Sequence, residues 1–192
     1  MRMINKSVLV VAVLGALLAS CSAVAPAVQE SRYGPAAGES EASFAVSLSK
    51  SETDIDGVGT TDSTTLFAQV GGGYFLTDQQ EVGGQILVST VEVEGADDSN
   101  TLGLFPYYRW NFRVGPRSVV YVGAQVGVQS LDSAGDDDTS FGGGVHAGFK
   151  TWLTPRVAFF IEPRLNRTDY EINGTDIEIT DLTTLLGLSI LF

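Results

Sequence analysis

Val120-Tyr121-Val122-Gly123-Ala124-Gln125-Val126-Gly127-Val128-Gln129 alternates without a fault. Val120, Val122, Ala124, Val126 and Val128 fall on one face, and Tyr121, Gly123, Gln125, Gly127 and Gln129 on the other. A period of two is that of a β-strand whose faces meet different surroundings. Seven more segments carry the same alternation, at residues 43–49, 66–74, 82–89, 102–111, 141–150, 159–166 and 183–192. The Gly triplets at 71–73 and 142–144 blur the phase of two of them without erasing it. Eight strands and no helical periodicity beyond residue 40 predict an all-β fold, an eight-stranded antiparallel up-and-down barrel.

Alternation leaves open which face is outside, and three features point to the apolar one. The polar faces are mostly Gly, Ser, Gln and Tyr, which suit a narrow packed interior better than a wet surface. The connections alternate in length. Three are tight, at residues 76–80, 114–118 and 154–156, and four are predicted long, at roughly 51–63, 92–100, 130–140 and 168–182. Charge follows that division: 17 of the 23 acidic residues lie in the four long connections, without Lys or Arg. Arg109, Arg113, Arg117, Lys150 and Arg156 lie nearer the tight turns. Charge kept out of the apolar face is what a bilayer requires, since an Arg or Lys there costs about 2–4 kcal/mol at the midplane. These features predict a transmembrane barrel with short periplasmic turns and acidic outer loops.

Composition excludes several classes. The formal net charge is −12 over 192 residues, which leaves no basic surface for nucleic acid. One Cys and one His exclude a disulfide framework and a Cys/His-rich metal centre. With 44% hydrophobic residues the chain is not disordered in bulk.

The first 20 residues read as a signal peptide. Arg2 and Lys6 flank an apolar run from Val8 to Leu18, too short for a helix to span a bilayer. Leu18-Ala19-Ser20-Cys21 resembles a bacterial lipobox, which implies acylation of Cys21 as the mature N-terminus. The alternative is ordinary cleavage after Ala25-Pro26-Ala27, with Cys21 discarded. The Ala-, Ser-, Pro- and Gly-rich stretch 21–40 reads as a flexible tether, and 41–192 as the barrel.

The chain ends Leu188-Ser189-Ile190-Leu191-Phe192, an aromatic terminus with Leu188 and Ile190 in phase before it. This resembles the C-terminal assembly signal of outer-membrane barrels. From residue 41 onward the chain resembles the small eight-stranded outer-membrane barrel family typified by the transmembrane domain of outer membrane protein A. Val157 to Arg164, with an inward Glu amid aromatics, resembles a late strand of that family. The resemblance implies integral outer-membrane residence in a Gram-negative envelope, contact with lipid and lipopolysaccharide, and assembly by the barrel-assembly machinery. It implies a monomer without a cofactor, in a structural or surface-interaction role. A lipobox departs from most such barrels, yet an even strand number leaves both termini periplasmic, where a lipid could enter the inner leaflet.

Candidate chemistry is sparse. Arg109, Gln125, His146, Lys150, Glu162 and Arg164 have inward parity, and buried charge must be paired to be tolerated. Glu162 is therefore expected to bridge two or more of these cations, as a plug or, alternatively, a polar gate. His146 invites comparison with barrel lipid A deacylases, in which a Ser follows the His by two positions; Gly148 stands there, so no catalytic set is assigned. Asp54, Asp56, Asp136, Asp137 and Asp138 supply hard oxygen ligands suited to Ca²⁺ or Mg²⁺. The EF-hand pattern fails at Val58, so solvated acidic loops are the expectation, with bridging to lipopolysaccharide by divalent ions as the alternative. Tyr74, Tyr108, Trp110, Phe141 and Phe192 are placed as interfacial aromatics. Two rival functions remain at this point: an enzyme acting on envelope lipid, and a lipid-anchored periplasmic barrel holding an apolar ligand.

Overall fold

The computed structural model of the protein describes residues 32–55, 59–93, 99–133, 136–172 and 175–192. The expected signal peptide, Cys21 and the tether up to residue 31 lie outside them, as does Asp56. Asp54, Asp136, Asp137 and Asp138 are described in backbone alone.

Eight strands follow in order: β1 (Ser40–Ile55), β2 (Gly59–Phe75), β3 (Gln80–Val93), β4 (Ser99–Gly115), β5 (Ser118–Ser133), β6 (Asp136–Trp152), β7 (Val157–Ile172) and β8 (Thr175–Leu191). Each pairs antiparallel with its sequence neighbours, and β1 pairs with β8 to close the barrel. The apolar faces point outward: Val46, Leu66, Ile86, Leu104, Val126, Val145, Leu165 and Leu186 are all exposed. The inward parity carries Gln69, Gln85, Arg109, Gln125, Lys150, Glu162 and Arg164, each at most 3% exposed. A soluble barrel would reverse these two sets.

Tight turns join the strands at one end, which we call the turn end. Thr77 Oγ1 accepts from the amides of Gln79 and Gln80. Thr154 Oγ1 does the same for Arg156 and Val157. A side-chain hydroxyl standing in for a backbone acceptor is what lets Thr begin such a turn.

At the opposite end the structure corrects the sequence reading. Three of the four connections expected to be long, 51–63, 130–140 and 168–182, are mostly strand among the described residues: β1 and β2 stay in register up to Ile55↔Gly59, and β7 and β8 up to Ile172↔Thr175. The hydrogen-bonded ladder outlasts the apolar alternation, because alternation records what surrounds the side chains and not whether the backbone is paired.

A second correction concerns the tether. The compact unit begins at Tyr33, not at residue 41. Arg113 Nη1 donates to the Tyr33 carbonyl at 2.8 Å, and the Arg117 guanidinium lies 4.2 Å from the Tyr33 ring centroid. The Ala37 amide donates to Asp78 Oδ1 at 3.0 Å. Gly38, at φ +88°, takes the left-handed turn that brings the chain into β1, and its amide reaches the Phe75 carbonyl. Low-complexity composition signals weak local preference, and two arginines with a hydrophobic socket are enough to fix the segment.

Candidate functional site

The lumen has three layers. At the turn end Phe75, Val119, Trp152, Ala158 and Leu191 form a buried apolar cluster, with Tyr33 packed against it. Trp152, unlike the exposed aromatics, faces inward as part of this cap. On the outer wall Tyr74, Tyr108, Trp110, Phe141 and Phe192 are exposed, and Phe112 stacks on Trp110 with ring centroids 6.4 Å apart. Leu188 is exposed on the same wall as Phe192, and Ile190 is half-buried beside it.

The middle layer is ionic. Glu162 on β7 is fully buried. Its Oε2 accepts from Arg109 Nη2 at 2.9 Å and from the Tyr121 hydroxyl at 2.8 Å, while Oε1 accepts from Arg164 Nη2. Arg109 also reaches Glu81 at 3.5 Å, and its Nε donates to His146 Nε2 at 3.1 Å. The Tyr107 and Tyr121 rings flank that guanidinium at 4.3 and 5.0 Å, and the Tyr107 hydroxyl donates to Glu81 Oε1 at 2.7 Å. Lys150 Nζ donates to both oxygens of Glu41 at 2.6 Å. Three carboxylates therefore meet three cations among the buried charged groups. Such balance is required where unpaired charge would cost several kcal/mol.

Of the residues singled out from sequence, Arg109, His146, Glu162 and Arg164 form one contact group. Gln125 joins it through Gln85, which accepts from Arg164 and donates to Gln125. Lys150 stands apart with Glu41. Sequence reading missed Glu41 and Glu81. A signal for Glu81 lies in its parity with Gly83 and Gln85. Glu41 likewise shares the parity of Ser43 and Ala45, but it stands just ahead of the first alternating segment at 43–49.

Glycine makes room for this layer. In the registered pairs Tyr107↔Gly83, Tyr121↔Gly148, His146↔Gly123 and Phe160↔Gly187, each large lumen side chain faces a glycine. A Cβ at Gly123 would lie 2.6 Å from the Tyr108 carbonyl oxygen, a backbone atom that no rotamer change can move away.

The third layer is a cavity of about 650 Å³ toward the acidic end, lined by Phe67, Leu87 and Phe105 with Gln129, Asn166 and Thr168 among its polar groups. Gln125 donates to Asn166 Oδ1 at 2.9 Å and Gln129 to Thr168 Oγ1 at 3.2 Å. The ionic layer lies between this cavity and the apolar cap. Among the described residues no group of three or more His, Cys, Asp or Glu is placed to hold a metal. His146 is buried in the lumen with Gly148 two positions on, away from lipid.

The fold has known counterparts. Neisserial surface protein A shares 16% identity at a TM-score of 0.54, over 82% of this chain and 99% of that one. The outer membrane protein OprG of Pseudomonas aeruginosa shares 15% at 0.53, over 84% and 99%. Outer membrane protein AlkL, solved in lipid bilayers, shares 16% at 0.50, over 89% and 96%. No curated protein sequence matches the chain. A family model described as "Outer membrane protein beta-barrel domain" matches residues 14–189. The chain belongs to that family, and is an integral eight-stranded barrel of the Gram-negative outer membrane.

Proposed function

We propose that this barrel is a non-enzymatic, plugged outer-membrane protein with a structural or surface-interaction role, not an open pore. The observation that carries the reading is the ionic layer: Arg109, Glu162 and Arg164 are at most 2% exposed and cross-linked across the lumen, with an apolar cap beneath them. Eight strands leave an interior that side chains just fill. The turn end is periplasmic in this reading, with Cys21 as a lipid anchor beside it, and the acidic strand ends face outward. Tyr33, held over the turn-end cap, would shorten the free part of such an anchor.

In planar bilayers the full protein is expected to give no sustained ionic conductance. A steady open channel in the unmodified protein would overturn the plug. A Glu162→Ala variant that assembles normally and conducts would make the same layer a gate.

The acidic end carries a second expectation. With 17 carboxylates gathered near anionic lipopolysaccharide, Mg²⁺ or Ca²⁺ is expected to bridge the two. Removing divalent ions with a chelator is then expected to speed proteolysis of the acidic end and lower the temperature of unfolding in lipopolysaccharide-containing bilayers. Unchanged proteolysis and stability would exclude bridging.

A further inference from the structure

The barrel wall is not closed over its full height. The pairing of β1 with β8 goes no higher than Val46↔Leu186, whereas β1 stays paired with β2 to its end and β8 with β7 to its beginning. Above Val46 and Leu186 the two hairpins part. Two-stranded ribbons twist more strongly than broad sheets, so neighbouring ribbons diverge once rungs between them are lost.

The cavity reaches this split. Leu48, Leu182 and Thr184 belong to the outward parity of β1 and β8, and Leu48 and Leu182 are 73% and 76% exposed. All three also line the cavity, together with the inward-facing Phe67, Leu87 and Phe105. Outward and inward residues can share one cavity only where the wall between them is interrupted.

The split also lies at lipid depth. From Glu41 to Val46 the strand climbs about 17 Å, and a tilt of about 40° reduces that to roughly 13 Å of height in an apolar band about 25 Å tall. The outer wall is still apolar at Leu48 and Leu182, past the last rung. An unpaired strand edge is tolerated at that depth only where it lines a cavity or is covered.

We propose that the β1–β8 split is a side entrance through which a single-chain amphiphile from the bilayer seats its chain in the lumen. Phe67, Leu87 and Phe105 supply the apolar wall for the chain. Asn166, Thr168 and Asp181 supply hydrogen-bonding groups for an uncharged polar head, and the Asp181 carboxylate disfavours an anionic one. The volume suits one chain, being in the range of small-molecule sites, about 300–1,000 Å³. This site goes beyond the plugged-barrel reading and does not depend on whether the ionic layer conducts.

The test is photolabelling of the full chain in phospholipid vesicles with dodecanol bearing a terminal diazirine. Crosslinks are expected on Phe67, Leu87 and Phe105, and excess dodecanol is expected to compete them away by about tenfold or more. Crosslinks on the outer wall, as at Val126, are expected to resist competition. Dodecanoate is expected to compete more weakly than dodecanol. A Leu48→Trp/Thr184→Trp variant, still showing heat-dependent gel mobility, is expected to lose the lumen crosslinks and keep those at Val126. If that variant does not fold, Leu87→Trp, which fills the cavity, is expected to lose them instead. Labels confined to the outer wall of the unmodified protein would overturn the site. Lumen labels that persist in the rim variant would overturn the side entrance, showing entry from the aqueous mouth.

Discussion

Glu162→Leu is expected to destabilise the barrel by about 3–5 kcal/mol, the range for removing one partner of a buried ion pair. The loss falls unequally on its two guanidinium partners. Arg109 keeps Glu81 at 3.5 Å, whereas Arg164 keeps only the Gln85 amide oxygen, at 3.2 Å. Arg164 is 1% exposed, so its charge is held away from solvent. The measurement is the temperature at which the heat-resistant gel band converts to the unfolded one. The double variant Glu162→Leu/Arg164→Met is expected to recover much of the loss, because an apolar replacement removes the stranded cation along with its partner. A loss below about 1 kcal/mol in the single variant would mean that the pair behaves as a solvated surface bridge.

Val126→Arg is expected to cost about 2–4 kcal/mol and to lower the amount of folded protein in the membrane. Val126 is 65% exposed on the outer wall of β5, and its partner on β6, Gly143, offers no side chain to pair with the new charge. On a water-facing wall the same substitution would be nearly neutral, within about 0.5 kcal/mol. Urea unfolding in lipid vesicles distinguishes the two, with Val126→Leu as the control for shape. A neutral result would mean that this face does not meet lipid.

Much of this architecture is legible in the sequence because a bilayer imposes a strict rule on one face. Val120 to Gln129 could be phased by inspection, and Arg109, Lys150, Glu162 and Arg164 then had to point inward. What was not legible has physical causes. Glu81 sits one residue into a strand beside the turn that carries Asp78, where a carboxylate reads as solvated. The pairing of Lys150 with Glu41 links residues 109 positions apart, and alternation carries no information about distant partners. The upper strands, such as Thr60 and Thr61 opposite Asp54 and Thr53, lie past the apolar alternation, so only the backbone shows that they are strands. Tyr33 was hidden because one aromatic anchor in a low-complexity stretch leaves no period to detect.

Ser40 and Phe192 exchange backbone hydrogen bonds, the Phe192 amide reaching the Ser40 carbonyl at 2.9 Å and the Ser40 amide the Phe192 carbonyl at 3.3 Å. The first and last residues of the barrel are thus neighbours on one rung. A chain cut anywhere before residue 186 has none of the registered rungs between β1 and β8, and stays a curled sheet with two raw edges, the form most prone to pair with other chains. Closure of the wall therefore waits for the last strand: the seven residues from Leu186 to Phe192 act as its clasp.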